Sequence, residues 1–187
     1  MFEQETKRKV ALVGTSRVGK TSIIDALKLK HQDNPEIGFI EEAARIYFTN
    51  NPEIPENLRF SFQHQAEIQK LQLELEKKAY AGKATRLLSD RSVLDAAVYV
   101  SAYGDKEGSR KLVSGVESWI PTYSSIVLLS PEGVAYVKDE IRREDAAVRQ
   151  QNHEAYLDLF MREGIDYELL GGSLKERIQT VEGLLLQ

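Results

Sequence analysis

Apolar positions along the chain fall into short runs separated by longer amphipathic stretches. Lys9-Val-Ala-Leu-Val13 is apolar and rich in β-branched residues up to Gly14, the pattern of a buried strand. Residues 37–40, 85–89, 125–129 and 167–170 repeat that pattern. Between the runs the spacing turns helical. Residues 20–30 carry Ile23, Ile24 and Leu27 on one side, and residues 41–48 and 92–102 form shorter helices. The longest pattern covers residues 56–81, with Leu58, Phe62, Ile68, Leu71, Leu75 and Ala79 as its buried stripe. Residues 105–119 follow, and a charged stretch at 138–151 leads into a helix ending at Glu163. A final helix starts at Leu174, with Ser173 as its N-cap. Apolar strands alternating with helices predict a three-layer α/β domain around a five-stranded, mainly parallel sheet. Lys7, Arg8 and Lys9 read as solvated charge flanking an edge of the first strand, and His153-Glu154 as a helix-surface pair.

Composition narrows this by exclusion. With 187 residues the chain makes one domain, residues 1–187. At this size folding buries ~70% of the unfolded surface, so no disulfide or metal staple is required. Apolar residues at 42% exclude disorder, and the absence of cysteine removes disulfides, thiolate nucleophiles and cysteine-based zinc sites. His31, His64 and His153 lack the spacing of a histidine metal site. A net charge of -4 argues against a nucleic-acid partner held by bulk electrostatics. The first residues are acidic where a signal peptide is basic, and no apolar stretch approaches the ~20 residues that span a bilayer. The expectation is a cytoplasmic protein without a membrane partner.

One motif carries most of the chemistry. Gly14-Thr15-Ser16-Arg17-Val18-Gly19-Lys20-Thr21 fits G-x-x-x-x-G-K-[ST], between a predicted strand and a predicted helix that continues through Ser22. The glycines let main-chain amides surround phosphate oxygens, and the helix N-terminus adds its dipole. Lys20 supplies a cation for the β- and γ-phosphates, and the Thr21 hydroxyl is a Mg2+ ligand. A random chain of this length matches the pattern well under ~1% of the time. Nucleotide-phosphate binding is the expectation.

The third strand runs into Leu87-Leu-Ser-Asp90-Arg91-Ser92. An acid at the carboxyl end of a strand beside the phosphate loop can hold the Mg2+ shell or accept a proton from an attacking hydroxyl. Arg91 beside it is a candidate phosphoryl contact, and the alternative for Asp90 is a helix N-cap. No Asn-Lys pair exists for an Asn-Lys-x-Asp guanine motif, the third strand does not end in Asp-Glu, and no Leu-Ser-Gly-Gly-Gln is present. Ras-like GTPases, motor-type ATPases and transporter ATPases thereby lose ground, and ATP is favoured over GTP.

Gly14-Thr-Ser-Arg-Val-Gly-Lys-Thr21, Glu41-Glu-Ala-Ala-Arg45 and Asp90-Arg-Ser-Val-Leu-Asp95 together resemble one group of P-loop proteins. These are similar to the ribosylnicotinamide-kinase half of the bifunctional NAD-biosynthesis regulator and are often called AAA-domain ATPases; nucleoside and nucleotide kinases are more distant relatives. The resemblance spans most of the chain and implies a P-loop NTPase fold of nucleotide-kinase type. It further implies that the acid after the second strand, Glu41 or Glu42, is a base or acceptor anchor, with Arg45 clamping the acceptor. The alternative for Glu41 and Glu42 is favourable acid at a helix N-terminus. Gln63 enters through a Phe-x-x-Gln similarity to deoxynucleoside kinases. Gln65 enters because it interrupts an apolar stripe with a group that can read a base edge; its alternative is a polar rim.

Arg142, Arg143 and Arg149 lie in the charged stretch. Guanidinium groups supplied in cis stabilise the dispersed charge of phosphoryl transfer, and a lid over residues 131–150 would carry them. Their alternative is a solvated helix face paired with Glu140, Glu144 and Asp145. The leading expectation is an ATP- and Mg2+-dependent phosphotransferase on a small acceptor such as a nucleoside, nucleotide or related metabolite, working as a monomer or homodimer. Lys20, Asp90, Glu41, Arg91, Arg142 and Arg149 are its expected catalytic groups. The rivals are a regulatory ATPase switch acting through a protein partner and a binding module without turnover.

Overall fold

The computed structural model describes residues 7–132 and 146–187. Strands β1 (Arg8–Val13), β2 (Ile37–Ile40), β3 (Arg86–Asp90), β4 (Ser125–Leu129) and β5 (Glu168–Leu170) form one parallel sheet in the order β2-β3-β1-β4-β5. The helices are α1 (Lys20–Lys30), α2 (Ala43–Asn50), α3 (Phe62–Ala81), α4 (Asp95–Ala102), α5 (Lys106–Val116), α6 (Ala146–Glu163) and α7 (Leu174–Leu186).

Both faces of the sheet are covered, and the period-two alternation of the strands decides which residue faces which layer. Ala11 and Val13 of β1 join Ile126 and Leu128 against Val98 of α4, Val113 of α5 and Tyr156 of α6. Val10 and Leu12 join Val127 and Leu129 against Ile23 and Leu27 of α1 and Val181 of α7. Burying side chains of this size contributes ~1.5–3 kcal/mol each. The chain leaves β1 toward the β2 edge and leaves β4 toward β5. These opposite departures open a crevice at the carboxyl ends of β1 and β4, where open α/β sheets bind ligands.

Three sequence expectations need correction. Lys9 is not solvated edge charge. β1 is a central strand, and Lys9 is fully buried with its Nζ 2.6 Å from Oε2 of Glu76 on α3. It also lies over the rings of Tyr123 and Trp119, 3.8 and 4.6 Å from their centroids. The predicted stripe of the long helix is displaced. Residues 56–58 form a separate 3-10 turn, Leu58 and Phe62 are exposed, and α3 buries Gln65, Ile68, Gln69, Gln72 and Glu76. That polar face is stable because its atoms are paired. Gln69 Nε2 donates to the carbonyls of Val93 and Leu112, and Gln72 accepts from the Ala43 amide. Glu76 accepts from Trp119 and Tyr123 as well as from Lys9. Lastly, His153 is buried on α6, while Glu154 is exposed and accepts from Gln150.

Candidate functional site

The phosphate loop leaves β1 at Gly14 and closes at Gly19, with φ of +137° at Gly14, +59° at Arg17 and +92° at Gly19. A Cβ on Gly14 would stand 3.2 Å from the Leu129 carbonyl oxygen, so a side chain there would strain both the backbone and the contact with β4. Gly19 is the N-cap of α1 and provides no side-chain cap, so the positive end of the helix is presented to the loop. Thr15 and Val18 are buried, Ser16 and Arg17 are half-buried, and Thr21 and Ser22 are exposed in the first turn of α1. Lys20 is buried, and its Nζ donates to the carbonyls of Gly14 at 2.9 Å and Thr15 at 2.7 Å. Burial, aided by the Arg91 cation and opposed by Asp90, Glu42 and Asp95, lowers its pKa to about 7.

Behind the loop, Arg91 is a hub. Its Nε donates to Glu42 Oε1 at 2.6 Å, and its Nη1 donates to Asp95 Oδ1 at 3.0 Å and to the Gly14 carbonyl at 3.1 Å. The Tyr99 and Tyr156 hydroxyls lie within 3.1 and 3.3 Å of the same Nη1. The sequence expectation had Arg91 on the migrating phosphoryl; here its Nε and Nη1 are committed to two carboxylates and the loop carbonyl. The Gly14 bond ties it to the loop. Asp95 completes the hub by accepting from the Ser92 amide and hydroxyl and, at 2.6 Å, from Tyr156.

Asp90 is different. It closes β3 opposite Leu12 of β1, is 7% exposed, and its Oδ1 has no hydrogen-bond partner. The N-cap alternative is not what is built, because α4 starts at Asp95 behind Leu94. Burial raises the Asp90 pKa and Glu42 adds to that, against the attraction of Lys20 and Arg91.

Asp90, Thr21, Glu41, Glu42 and Arg45 converge on a cavity of about 140 Å3, which Asp25 also lines. Glu42 is pulled in two directions. Burial pushes its pKa up, but Arg91, by charge and hydrogen bond, with Lys20 and Arg45 brings it down to about 2. Arg45 Nη2 lies 3.3 Å from Glu42 Oε2 and 3.5 Å from Thr21 Oγ1. Glu42 occupies the N-cap position of α2 without a side-chain cap bond; its charge still lies at the helix N-terminus, as the alternative has it, while its carboxylate accepts from Arg91 and Arg45. Glu41 is exposed on the cavity wall. Neither glutamine lines this cavity. Gln63 is exposed, and Gln65 is buried with Nε2 on the Arg59 carbonyl at 2.7 Å, so the base-reading expectation for Gln65 gives way to a loop tie. A larger cleft of about 670 Å3, lined by Tyr123, Ser125 and Ile126 among others, lies at the opposite end of β4.

On the β4 side, Arg149 is buried and its Nη2 donates to the Pro131 carbonyl at 2.8 Å. Arg142, Arg143 and most of the expected lid lie outside the described residues. The sequence did not single out Arg177 or Tyr156. Arg177 of α7 is 1% exposed and donates to the carbonyls of Val18, Ser130, Glu132 and Gly172, tying the phosphate loop to the loops after β4 and β5. Tyr156 of α6 reaches the Gly14 carbonyl at 3.5 Å. Neither belongs to a local motif, so only the folded chain identifies them.

Among the described residues, no group of three or more His, Asp or Glu side chains forms a ready metal cage, and no helix is long and apolar enough to cross a membrane.

Residues 9–177 match the family model of an AAA domain, and the chain belongs to that family. A search among curated proteins finds no match. The solved structures that share the fold include NadR protein in complex with NAD and AMP-PNP, and NadR protein in complex with NR. Each superposes with a TM-score of 0.72, at 16% and 17% identity, over 97% of this chain and 50% of the other. The chain therefore spans half the length of the solved structures it matches.

Proposed function

We propose that this AAA-domain protein is a kinase that moves the γ-phosphoryl group of ATP, with Mg2+, onto a hydroxyl of a small acceptor such as a nucleoside, nucleotide or related metabolite. One observation carries the proposal. Asp90, which keeps a buried carboxylate oxygen without a partner, lines a bounded cavity together with Thr21 of the phosphate loop and Arg45.

The residues fit a bound Mg2+. This ion takes one or two protein oxygens and fills the rest of its shell with water and phosphate. Thr21 Oγ1 is a direct donor of that kind, and Asp90, which lines the same cavity, would hold a water of the ion's shell. When bound, Mg2+ neutralises developing charge on the β- and γ-phosphoryl oxygens. Lys20 leaves the carbonyls of Gly14 and Thr15 for the phosphates it is meant to hold. The acceptor hydroxyl gives its proton to Asp90 while its oxygen bonds the γ-phosphorus, and the β,γ-bridging oxygen departs with ADP. Burial raises the pKa of Asp90, which suits a proton acceptor. Glu42, held near 2, stays ionised and fixes Arg91 and Arg45, while Glu41 anchors the acceptor from the cavity wall. Arg149, on the β4 side of the crevice, supplies the cation for the migrating group.

The ligands in the two NadR structures make ribosylated pyridines the first acceptors to try. ATP consumption is measured with and without ribosylnicotinamide, common nucleosides and their monophosphates, with product mass as readout. An acceptor that stimulates turnover and gains one phosphate is the expected result, with Lys20→Ala inactive. Hydrolysis that no acceptor stimulates would replace the kinase by an ATPase.

A further inference from the structure

The buried face of α6 changes character along its length. Tyr156, Leu159 and Phe160 belong to the apolar core, whereas Arg149, Asn152 and His153, one and two turns earlier, are polar yet also buried. The change falls at the level of the phosphate loop, where Tyr156 meets the Gly14 carbonyl. At the other end of this polar segment Arg149 meets the Pro131 carbonyl, just past β4. Asn152 lies between them on the same helical face, between the residues that meet the chain just past β4, at Pro131, and just past β1, at Gly14.

Asn152 is 1% exposed, and neither its Nδ2 nor its Oδ1 has a hydrogen-bond partner. A buried carboxamide left open at both ends is costly, and native proteins rarely keep one without a use for it. Asp90 Oδ1, across the phosphate loop, is open in the same way. We infer that Asn152 is a substrate contact of the phosphoryl-transfer site. Its Nδ2 donates to a phosphoryl oxygen of the bound triphosphate, and its Oδ1 accepts from a hydroxyl or water beside it. Phosphoryl oxygens accept only, while the entering group carries a proton, so the two ends of one carboxamide are satisfied together. The inference rests on the kinase reading of the same site and adds to it a residue that no local motif marks.

The test uses the full chain with AMP-PNP and Mg2+ as the probe. Asn152→Leu replaces the open carboxamide by an apolar group of similar size. It should raise the melting temperature of the ligand-free protein and weaken AMP-PNP binding about 10–100-fold, the effect of losing a hydrogen bond to a charged group. Asn152→Asp keeps the shape and an oxygen but loses the donor, and should weaken binding at least as much. A lower melting temperature for Asn152→Leu would mean that the carboxamide is paired within the protein, and would overturn the inference. Unchanged AMP-PNP affinity in both variants would overturn it too, while leaving the kinase reading intact. If the wild-type chain itself failed to bind AMP-PNP, the nucleotide reading would fall and this inference with it.

Discussion

The ammonium of Lys20 sits 2.7 Å from the carbonyl oxygen of Thr15, folded onto the loop whose phosphates it would hold. Burial and the nearby Arg91 cation bring its pKa down to about 7. A polyphosphate would reverse that balance by setting negative charge against the amine. Nucleotide binding is therefore expected to take up protons around and above pH 7, with uptake growing from pH 6 to pH 8. Titration calorimetry in buffers of different ionisation enthalpy measures this directly. Heats that do not depend on the buffer would show that Lys20 is already fully charged in the free protein.

Asp90→Asn keeps the shape and removes the charge. Loss of a general base costs typically 10²–10⁴-fold in turnover. Because the wild-type carboxylate is buried with an open oxygen, the variant should melt no lower than wild type. Kinetics and a melting curve on the same preparation check both parts. A variant retaining more than about a tenth of the activity would remove Asp90 from the chemistry.

The Glu42–Arg91 pair sets an acid limit. The Glu42 pKa is about 2 in the folded chain against an ordinary 4.5, so between these values the unfolded chain binds more protons. Stability then rises with pH across that window; the contribution, ~3 kcal/mol, is fully present above it and lost on acidification through it. Glu42→Gln should flatten the curve of unfolding free energy against pH between pH 2 and 4.5. An unchanged acid limb would show that the pair contributes nothing there.

Lys9 and Glu76 are buried completely and 2.6 Å apart, and neither lines the candidate cavity. Glu76→Leu leaves the Lys9 ammonium without a counter-charge and should cost ~3–5 kcal/mol by urea unfolding. Pairing it with Lys9→Met should recover only the part due to the stranded ammonium, because Trp119 and Tyr123 still lose their acceptor. Neither change should alter the nucleotide affinity of the folded fraction. The single tryptophan, Trp119, donates to Glu76, so its fluorescence reports on the pair.

How far the sequence could be read depended on the range of each interaction. The strands at 37–40 and 125–129, the start of α1 at Lys20 and the Ser173 cap of α7 were legible, because each follows from residues a few positions apart. The phosphate loop was legible for the same reason, its glycines being required by backbone angles set within the loop. By contrast, Arg91 reads as a phosphoryl contact until Glu42, 49 positions away, is seen holding it. Lys9 reads as solvated until Glu76, 67 positions away, is seen beside it. Gln69 and Gln72 of α3 gain a reason for burial only when the carbonyls of Val93 and Leu112, the Ala43 amide and the Ser89 hydroxyl are brought beside them. Hydrophobic periodicity records which side of an element is buried only when burial is apolar. A buried polar group is stable only through its partner, and that partner is chosen by the fold.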